Sequence, residues 1–225
     1  VCLTPGESIS MKENNKEFPS KGWILAFHPD LICGTPLGLN IHNYTFFSYC
    51  PEEALHLSLR EKQIILEFLE RIRQELERCI DRHSKKIISK YIELLLDYCT
   101  RFYERQFITR SEVNKKVFRE FNHLLDNHFN VKVSLSTDVL SDEYCANLLH
   151  LSPAYFNDLL KYEIGKEFKE YIQFKRFEIA KGWLVNTDKT LGQIAQELGF
   201  SNSQYFSRLF KKITGCSPNE FRMPN

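Results

Sequence analysis

The chain has 225 residues, of which 43% are hydrophobic and 26% are charged, and its formal net charge at pH 7 is +1. This composition is that of an ordinary soluble protein and argues against an intrinsically disordered chain. Because no apolar run reaches the roughly 18 residues that a membrane span requires, and no signal peptide pattern opens the chain, we predict a cytoplasmic protein without a membrane partner.

The first 57 residues contain most of the prolines and carry short apolar runs at 23–27 and 45–49. Short apolar runs bounded by proline and glycine are typical of strands and loops. We therefore predict that residues 1–57 form a small β-rich segment.

Histidine and cysteine would be the main ligands of a transition metal, and neither is spaced for one. His28, His42 and His56 lack the short ligand spacing of a zinc site, and the seven cysteines are scattered without a C-x-x-C pair. The chain also lacks a glycine-rich phosphate loop, an HExxH motif and a nucleophile elbow. We therefore predict no metal, no cofactor, no catalytic residues and no enzymatic activity.

Amphipathic helices are predicted from Ser58 onward. Ser58 and Glu61 have the spacing of a capping box, which indicates the start of a first helix. Its apolar stripe consists of Ile65, Phe68, Leu69, Ile72 and Leu76. A second helix begins near Ser84, with a broader stripe formed by Ile87, Ile88, Tyr91, Ile92, Leu95, Cys99, Phe102 and Tyr103. This stripe is wider than one neighbouring helix needs. It therefore either packs against residues 1–57 of the same chain or forms a homodimer seam within residues 58–107.

A third helix is predicted from Thr109 and Glu112, which again have capping-box spacing. Its apolar side consists of Val117, Phe118, Phe121, Leu124, Leu125 and Phe129. The polar run VKVSLSTDVLS follows Asn130 and is typical of a linker. We place a domain boundary there, so that residues 58–133 form a helical connecting or dimerisation region.

The most specific pattern in the chain lies at residues 190–222. Thr190 and Gln193 have capping-box spacing, and Gly199 ends the helix that they open. Apolar residues then resume with helical spacing at Tyr205, Phe206, Leu209, Phe210 and Ile213, up to a stop near Gly215. A helix, a tight glycine turn and a second helix form a helix-turn-helix signature, in which the small Ala195 permits close helix crossing.

The same pattern occurs about fifty residues earlier, at 145–165. The first three matched pairs are Ala146 with Ala195, Leu149 with Leu198, and Ser152 with Ser201. The later turn then has one extra residue. After it, the matched pairs are Tyr155 with Tyr205, Phe156 with Phe206, Leu159 with Leu209, Lys161 with Lys211, and Gly165 with Gly215. The chain is therefore predicted to contain two helix-turn-helix units. A linker helix from Phe168 to about Val185 joins them, with packing residues Tyr171, Phe174, Phe177, Ala180, Trp183 and Leu184.

Two such units, separated by an amphipathic helix and followed by GCSPNEFR, resemble the DNA-binding domain of the AraC/XylS family of transcription regulators. The resemblance covers residues 136–222, and upstream the runs HLSLREKQIILEFLERIRQELE and LLLDYCTRFYERQF resemble the helical region of Bacteroidetes-like members. It implies a mainly α fold, in which residues 134–225 form an all-α domain with two helix-turn-helix units. It also implies that residues 1–57 are the β-rich remnant of a truncated, cupin-like sensor domain.

The second unit carries most of the expected DNA contacts. We assign Ser203, Gln204, Ser207 and Arg208 to base edges, and Asn202, Lys211 and Lys212 to the phosphate backbone. In the first unit Asp158 stands where the second has Arg208, and a carboxylate repels phosphate. The remaining contacts expected there are Ala154 and Asn157 to bases, and Ser152 and Lys161 to the backbone.

These patterns predict a sequence-specific DNA-binding transcription regulator that reads adjacent major-groove faces with two recognition helices, the second being dominant. Double-stranded DNA is the predicted partner, and RNA polymerase is a further candidate. The alternative is a helical protein–protein interaction module without DNA function, because helix pairs joined by a glycine turn also occur in proteins that never bind DNA. Salt-dependent retention on duplex DNA would distinguish the two.

Overall fold

The computed structural model describes residue 2 and residues 22–130 and 140–223. The chain divides into two compact units, Val1–Ser111 and Glu112–Asn225. Regular secondary structure in the described residues is helical, and no strand occurs among them. None of the helices in these ranges has both the length and the apolarity that crossing a membrane requires.

Short helices make up the amino-terminal part of the first unit. Helix α1 is Pro29–Ile32, α2 is Pro36–Asn40, and three single 3₁₀ turns follow at Ile41–Asn43, Thr45–Ser48 and Pro51–Glu53. Proline stands at the start of α1, of α2 and of the last 3₁₀ turn. At that position its missing N–H costs no hydrogen bond, so these prolines begin short helices.

Two long helices, α3 (Leu59–Leu76) and α4 (Ser84–Thr109), complete the first unit. The predicted capping box of α3 is confirmed, because Ser58 Oγ accepts from the Glu61 N–H at 3.3 Å and Glu61 Oε2 accepts from the Ser58 N–H at 2.8 Å. In the predicted stripe of α3, Leu69 and Ile72 are buried, Ile65 and Phe68 are half-buried, and Leu76 is exposed.

The broad apolar stripe of α4 packs within the chain. One core joins residues of α3 and α4 with Ile32, Leu37 and Phe46 from the amino-terminal segment. Of the predicted stripe, Ile88, Ile92, Leu95, Phe102 and Tyr103 are buried, Tyr91 and Cys99 are half-buried, and Ile87 is exposed. The width of the stripe therefore reflects contacts with two partners, α3 and the segment before it.

The β-rich, cupin-like remnant predicted over 1–57 is not supported. Its residues 3–21 lie outside the described part, and residues 22–57 contain no strand. Within the run 45–49, residues Thr45–Ser48 form a 3₁₀ turn, whereas 23–27 has no regular secondary structure. Short apolar runs suit either a strand or another buried segment, and here the side chains pack onto α4: Phe46 is buried and stacks on Tyr103 with ring centroids 5.3 Å apart.

Helix α5, Ser111–Asn130, begins later than predicted. Thr109 was expected to open it but is the last residue of α4, and its Oγ1 donates to the Gln106 carbonyl oxygen at 3.2 Å. A threonine hydroxyl that bonds backward along its own helix does not cap the next one. The expectation for Thr109 is therefore wrong, and Ser111 begins the helix.

Helix α5 belongs to the second unit. Its buried residues Phe121, Leu125 and Phe129 share one core with residues of the first helix-turn-helix pair, among them Ala146 and Phe156. The division between the two compact units falls between Ser111 and Glu112, in the first turn of α5. The domain boundary expected after residue 130 stays a prediction. The run VKVSLSTDVLS, which suggested that boundary, lies largely outside the described residues.

The second unit continues with α6 (Asp142–Leu148), α7 (Pro153–Ile164), α8 (Phe168–Asn186), α9 (Leu191–Glu197), α10 (Ser203–Thr214) and α11 (Pro218–Arg222). The predicted linker helix is confirmed as α8, which contributes to two cores. Phe168, Tyr171 and Ile172 pack with α5 to α7, while Phe177, Ala180 and Leu184 pack with α9 to α11. Phe174, which was expected to be buried, is exposed.

Candidate nucleic-acid interface

The second helix-turn-helix pair is formed by α9 and α10. As predicted, a capping box opens α9: Thr190 Oγ1 accepts from the Gln193 N–H at 3.2 Å, and Gln193 Oε1 accepts from the Thr190 N–H at 2.8 Å. Gly199 has a φ angle of 74°, which glycine adopts without steric cost. The Phe200 N–H then donates to the Ala195 carbonyl oxygen at 2.8 Å and closes the turn.

Helix α10 has one buried and one solvent-facing side. Phe206 and Phe210 are fully buried. The solvent-facing side presents Gln204, Arg208, Lys211 and Lys212 as exposed residues, with Ser203 and Ser207 partly exposed. Tyr205 and Ile213, which were expected on the apolar side, are 43% and 49% exposed. Residues three and four apart share a helix face, so the polar and basic side chains form one continuous strip.

Two of the residues predicted to contact DNA also hold local structure. Asn202 caps α10, because its Oδ1 accepts from the Tyr205 N–H at 2.7 Å. Its side-chain NH₂ group is the part left to donate elsewhere. Ser207 Oγ donates to the Ser203 carbonyl oxygen at 2.8 Å, which leaves its lone pairs as acceptors.

Arg208 and Lys212 carry positive charges that no described residue of the chain neutralises. Neither side chain forms an ion pair with a residue in the described ranges. By contrast, Lys189 pairs with Glu197 at 2.5 Å, and its Nζ lies 3.9 Å from the centroid of the Trp183 ring. Trp183 is therefore covered by a lysine of its own unit, in line with its expected packing role.

The first helix-turn-helix pair, α6 and α7, repeats this construction. Ser141 caps α6 by accepting from the Tyr144 N–H at 3.0 Å. His150 takes the place of Gly199, with a φ angle of 57°. The Leu151 N–H donates to the Ala146 carbonyl oxygen at 2.9 Å, which is the counterpart of the bond that closes the second turn. The internal repeat predicted from the sequence is thus present in the backbone.

The two recognition helices, α7 and α10, have equal length and matching ends. Each contains 12 residues and ends at a glycine with positive φ, Gly165 or Gly215. Their amino-terminal caps are Ser152 and Asn202. Ser152 therefore corresponds to Asn202, whereas the sequence match had paired it with Ser201. The extra residue of the later turn is Ser201 itself.

In the first helix-turn-helix pair, several side chains that were expected to contact DNA instead contact neighbouring residues of the chain. Ser152 is buried, and its Oγ accepts from the Tyr155 N–H at 3.2 Å, which argues against contact with phosphate. Asn157 is partly exposed, and its Nδ2 donates to Asp142 Oδ2 at 2.8 Å. Lys161 is exposed with its Nζ 3.5 Å from Glu167 Oε1, and Ala154 is partly exposed.

Charge separates the two recognition helices at one matched position. On helices of equal length, Asp158 of α7 corresponds to Arg208 of α10. Arg208 is exposed, whereas Asp158 is partly buried and interacts within the chain. The first helix-turn-helix pair therefore presents a carboxylate where the second presents a guanidinium.

The side chain of Arg176 in α8 is partly buried. Its guanidinium carbon lies 5.9 Å from the centroid of the Phe200 ring, and its Nε is buried without a hydrogen-bond partner among the described residues. Burial lowers the pKa of Arg176 from its ordinary value. Burial, and then the charge of Arg176, also lowers the pKa of His128. The position of Arg176 directly before the buried Phe177 was the signal that it borders the core.

No metal site is apparent in the described ranges. His28, His42 and His56 are exposed. Within those ranges, histidine, cysteine and carboxylate side chains do not gather in any group of three or more that could hold a metal ion.

Comparison with known proteins matches the second unit to a family. Residues 145–223 match a family model described as a helix-turn-helix domain. The HTH-type transcriptional regulator YtdP of Bacillus subtilis is 33% identical over 49% of this chain and 14% of its own length. The arabinose operon regulatory protein of Salmonella typhimurium is 32% identical over 45% of this chain and 32% of its own length.

A more distant relative matches almost the whole chain. The HTH-type transcriptional regulator YijO of Escherichia coli is 24% identical over 99% of this chain and 75% of its own length. The chain thus spans less than half of the length of YtdP and of the arabinose regulator, and three quarters of YijO.

Proposed function

We propose that this chain is a member of the AraC family of transcription regulators, binds double-stranded DNA sequence-specifically and regulates transcription. The proposal is supported by the match of residues 145–223 to a helix-turn-helix domain and by the similarity to the arabinose operon regulatory protein. The observation that carries the proposal is the solvent-facing strip of α10. Its glutamine, arginine and lysine side chains are the types that read base edges and hold phosphates.

The mechanism follows from the roles of these side chains. We assign Ser203, Gln204, Ser207 and Arg208 to base edges in the major groove, where an arginine can donate to guanine O6 and N7 together. Lys211, Lys212 and the NH₂ group of Asn202 position the helix on the phosphate backbone. Each neutralised phosphate releases condensed counterions, so binding weakens as salt increases.

The two helix-turn-helix pairs contribute unequally to DNA binding in this proposal. Asp158 repels phosphate, Ser152 is buried, and the Asn157 side chain is held by Asp142. Ala154, Asn157 and Lys161 are left as the contacts of α7, and they carry little charge compared with α10. Major-groove faces on one side of a duplex recur about every 10 base pairs, so one copy of the chain reads an asymmetric site dominated by α10.

The test is selection from random duplexes. The purified chain is incubated with a pool of random duplex DNA at moderate salt, and the retained DNA is sequenced. We expect one strongly enriched block, with a weaker block about one helical turn away. Retention without an enriched sequence would indicate electrostatic binding only, and no retention would favour the protein-interaction module.

Two further partners belong to the proposal. As a transcription regulator the protein would act in the cytoplasm and contact RNA polymerase. A homodimer through residues 58–107 would use the apolar side chains that α4 leaves exposed, among them Ile87 and Leu94, at 37% and 43%. Sedimentation of the chain at increasing concentration tests the dimer independently of DNA.

A further inference from the structure

A cleft in the first compact unit has the features of an anion-binding site. It has a volume of about 350 Å³ and lies between the loop that joins α1 to α2 and the amino-terminal turns of α4. Its lining includes four cationic side chains, Arg82, Lys85, Lys86 and Lys90, and a single carboxylate, that of Glu93. We call it the basic cleft.

The loop wall of the basic cleft is held in place by short-range contacts. The buried Ser89 hydroxyl lies 3.1 Å from the Leu31 carbonyl oxygen and 2.8 Å from that of Lys85, so it links α1, directly before the loop, to α4. A Cβ atom on Gly38 would lie 2.2 Å from the Ile32 carbonyl oxygen. The chain therefore passes too closely there for a side chain at position 38, which fixes the path of α2 next to the loop.

The positive charge of the basic cleft is mostly uncompensated. Lys90 Nζ pairs with Glu93 Oε2 at 2.5 Å, which occupies the carboxylate. Arg82, Lys85 and Lys86 have no carboxylate partner in the described part of the chain. The first N–H groups near the start of α4 are already capped by Asp81, so the side chains, and not the helix end, supply the attraction for an anion.

We propose that the basic cleft binds a small phosphorylated molecule. Lysine ammonium groups are common phosphate ligands, and a phosphate dianion matches several neighbouring cations better than a monoanion does. The volume lies at the lower end of the range for small-molecule sites, which suits a compact ligand. The cleft is concave, which suits a compact ligand better than a duplex backbone, because a duplex needs an open surface. The inference does not depend on DNA reading by α10.

The experiment uses the full chain and three probes: inorganic phosphate, pyrophosphate and glucose 6-phosphate, titrated calorimetrically. The test variant is Lys85→Gln with Lys86→Gln. The matched control is Arg60→Gln with Lys62→Gln, which removes the same charge from exposed residues of α3 outside the cleft. We expect the unmodified chain to bind a probe saturably. The affinity should fall about tenfold or more in the test variant, and a tenfold loss corresponds to about 1.4 kcal/mol of binding free energy. The control variant should keep the affinity of the unmodified chain.

Alkylation of cysteines gives a second measurement on the unmodified protein. Cys33 is exposed and lines the basic cleft, whereas the exposed Cys50 does not. A bound probe should slow alkylation of Cys33 and leave that of Cys50 unchanged. This measurement holds even if the double variant folds poorly.

The outcomes separate the sources of the ligand. Tighter binding of glucose 6-phosphate than of inorganic phosphate supports an organic phosphate, and equal binding supports free phosphate. Absence of saturable binding, or an equal loss in both double variants, would overturn the proposal. So would a loss of duplex DNA retention on removing Lys85 and Lys86 without binding of any probe, because the cleft would then be a contact for the DNA backbone.

Discussion

At the scale of single residues, the two helix-turn-helix turns place different side chains at the same backbone conformation. His150 has a φ angle of 57° and Gly199 one of 74°. A side chain in this left-handed region costs about 1 kcal/mol or more, although asparagine, aspartate and histidine tolerate it best. Glycine avoids the cost but loses more chain entropy on folding. The first turn therefore carries backbone strain that the second does not.

Replacing His150 with glycine should stabilise the second compact unit by about 0.5–1 kcal/mol, because relief of the strain exceeds the added entropy cost. Gly199→Ala is the matched change in the opposite direction and should destabilise it by about 1 kcal/mol. Urea unfolding followed by circular dichroism measures both. A destabilised His150→Gly protein would mean that contacts of the imidazole outweigh the strain.

Arg208→Ala should weaken binding to the selected duplex by about 1–3 kcal/mol and relax preference at one base pair. The expected cause is the loss of a bidentate pair with guanine. The control is Arg119→Ala, which removes an equal charge from an exposed residue of α5. Titration against the selected duplex and its single-base variants measures the effect. If both variants lose affinity equally and keep the same base preference, Arg208 contacts phosphate and does not read a base.

His128 should make the second unit less stable as the solution is acidified. Burial, and then the charge of Arg176, lowers the pKa of His128 in the folded protein, while in the unfolded chain it is about 6.5. Between these values the unfolded chain binds more protons, so the stability present above pH about 6.5 is lost as the pH falls through the folded-state pKa.

The variant His128→Gln should show a smaller loss of unfolding free energy between about pH 7 and pH 5 than the unmodified protein. The control is His123→Gln, at an exposed position of the same helix. Chemical unfolding at a series of pH values provides the comparison. An unchanged pH dependence in His128→Gln would assign the acid sensitivity to other groups.

At the scale of elements, Gln106 fastens the segment before α3 to α4. Its side chain is 2% exposed. Its Oε1 accepts from the His56 N–H at 2.8 Å, and its Nε2 donates to the Ala54 carbonyl oxygen at 3.4 Å. Beside it, Arg105 forms an ion pair with Glu61 at 2.9 Å. The Gln106 side chain thereby pairs two backbone groups of a segment that has no regular secondary structure.

Gln106→Ala should lower the free energy of unfolding of the first unit by about 1–3 kcal/mol, because it leaves two backbone groups without their partner. Gln63→Ala, at an exposed position of α3, is the control and should change it little. Thermal unfolding of the two variants gives the difference. Equal stability would mean that water replaces the amide at this site.

The starts of several elements could be predicted because their signals are local. Ser58 with Glu61 and Thr190 with Gln193 each bond across three residues, so the pattern is complete in the sequence. The prediction of strands in segment 22–57 was wrong because its apolar side chains pack against α3 and α4, which are distant in the sequence. Its residues favour burial, and nothing local specified strand pairing.

At the scale of the whole molecule, features that follow from local sequence patterns were again predictable, whereas features that depend on tertiary packing were not. The repeat of two helix-turn-helix pairs was visible because equivalent residues recur at a nearly fixed separation. The solvent-facing strip of α10 followed from helical periodicity, whereas the burial of Ser152 and the position of Arg176 depend on tertiary packing. The place of α5 was not visible, because its apolar side could equally have faced the first unit.

The place of α5 predicts where a stable DNA-binding fragment must begin. Phe121, Leu125 and Phe129 are buried in the core of the first helix-turn-helix pair. Asn122 Oδ1 also accepts from the Tyr171 hydroxyl at 2.7 Å, which joins α5 to α8. Burial of each large apolar side chain contributes about 1.5–3 kcal/mol, so removing three of them costs a large part of the roughly 5–15 kcal/mol by which a domain is stable.

A fragment of residues 111–225 should therefore unfold cooperatively on heating, whereas one of residues 134–225 should be largely unfolded or lack a sharp transition. Phe121→Ala in the longer fragment tests the same contact without truncation and should cost about 3–5 kcal/mol. Calorimetry of the three proteins makes the comparison. If the two fragments melt at the same temperature, α5 only covers a core that is complete without it. If the shorter one fails to melt cooperatively and still binds the selected duplex, DNA contacts supply the order that α5 otherwise provides, since a ligand that binds only the folded state stabilises it.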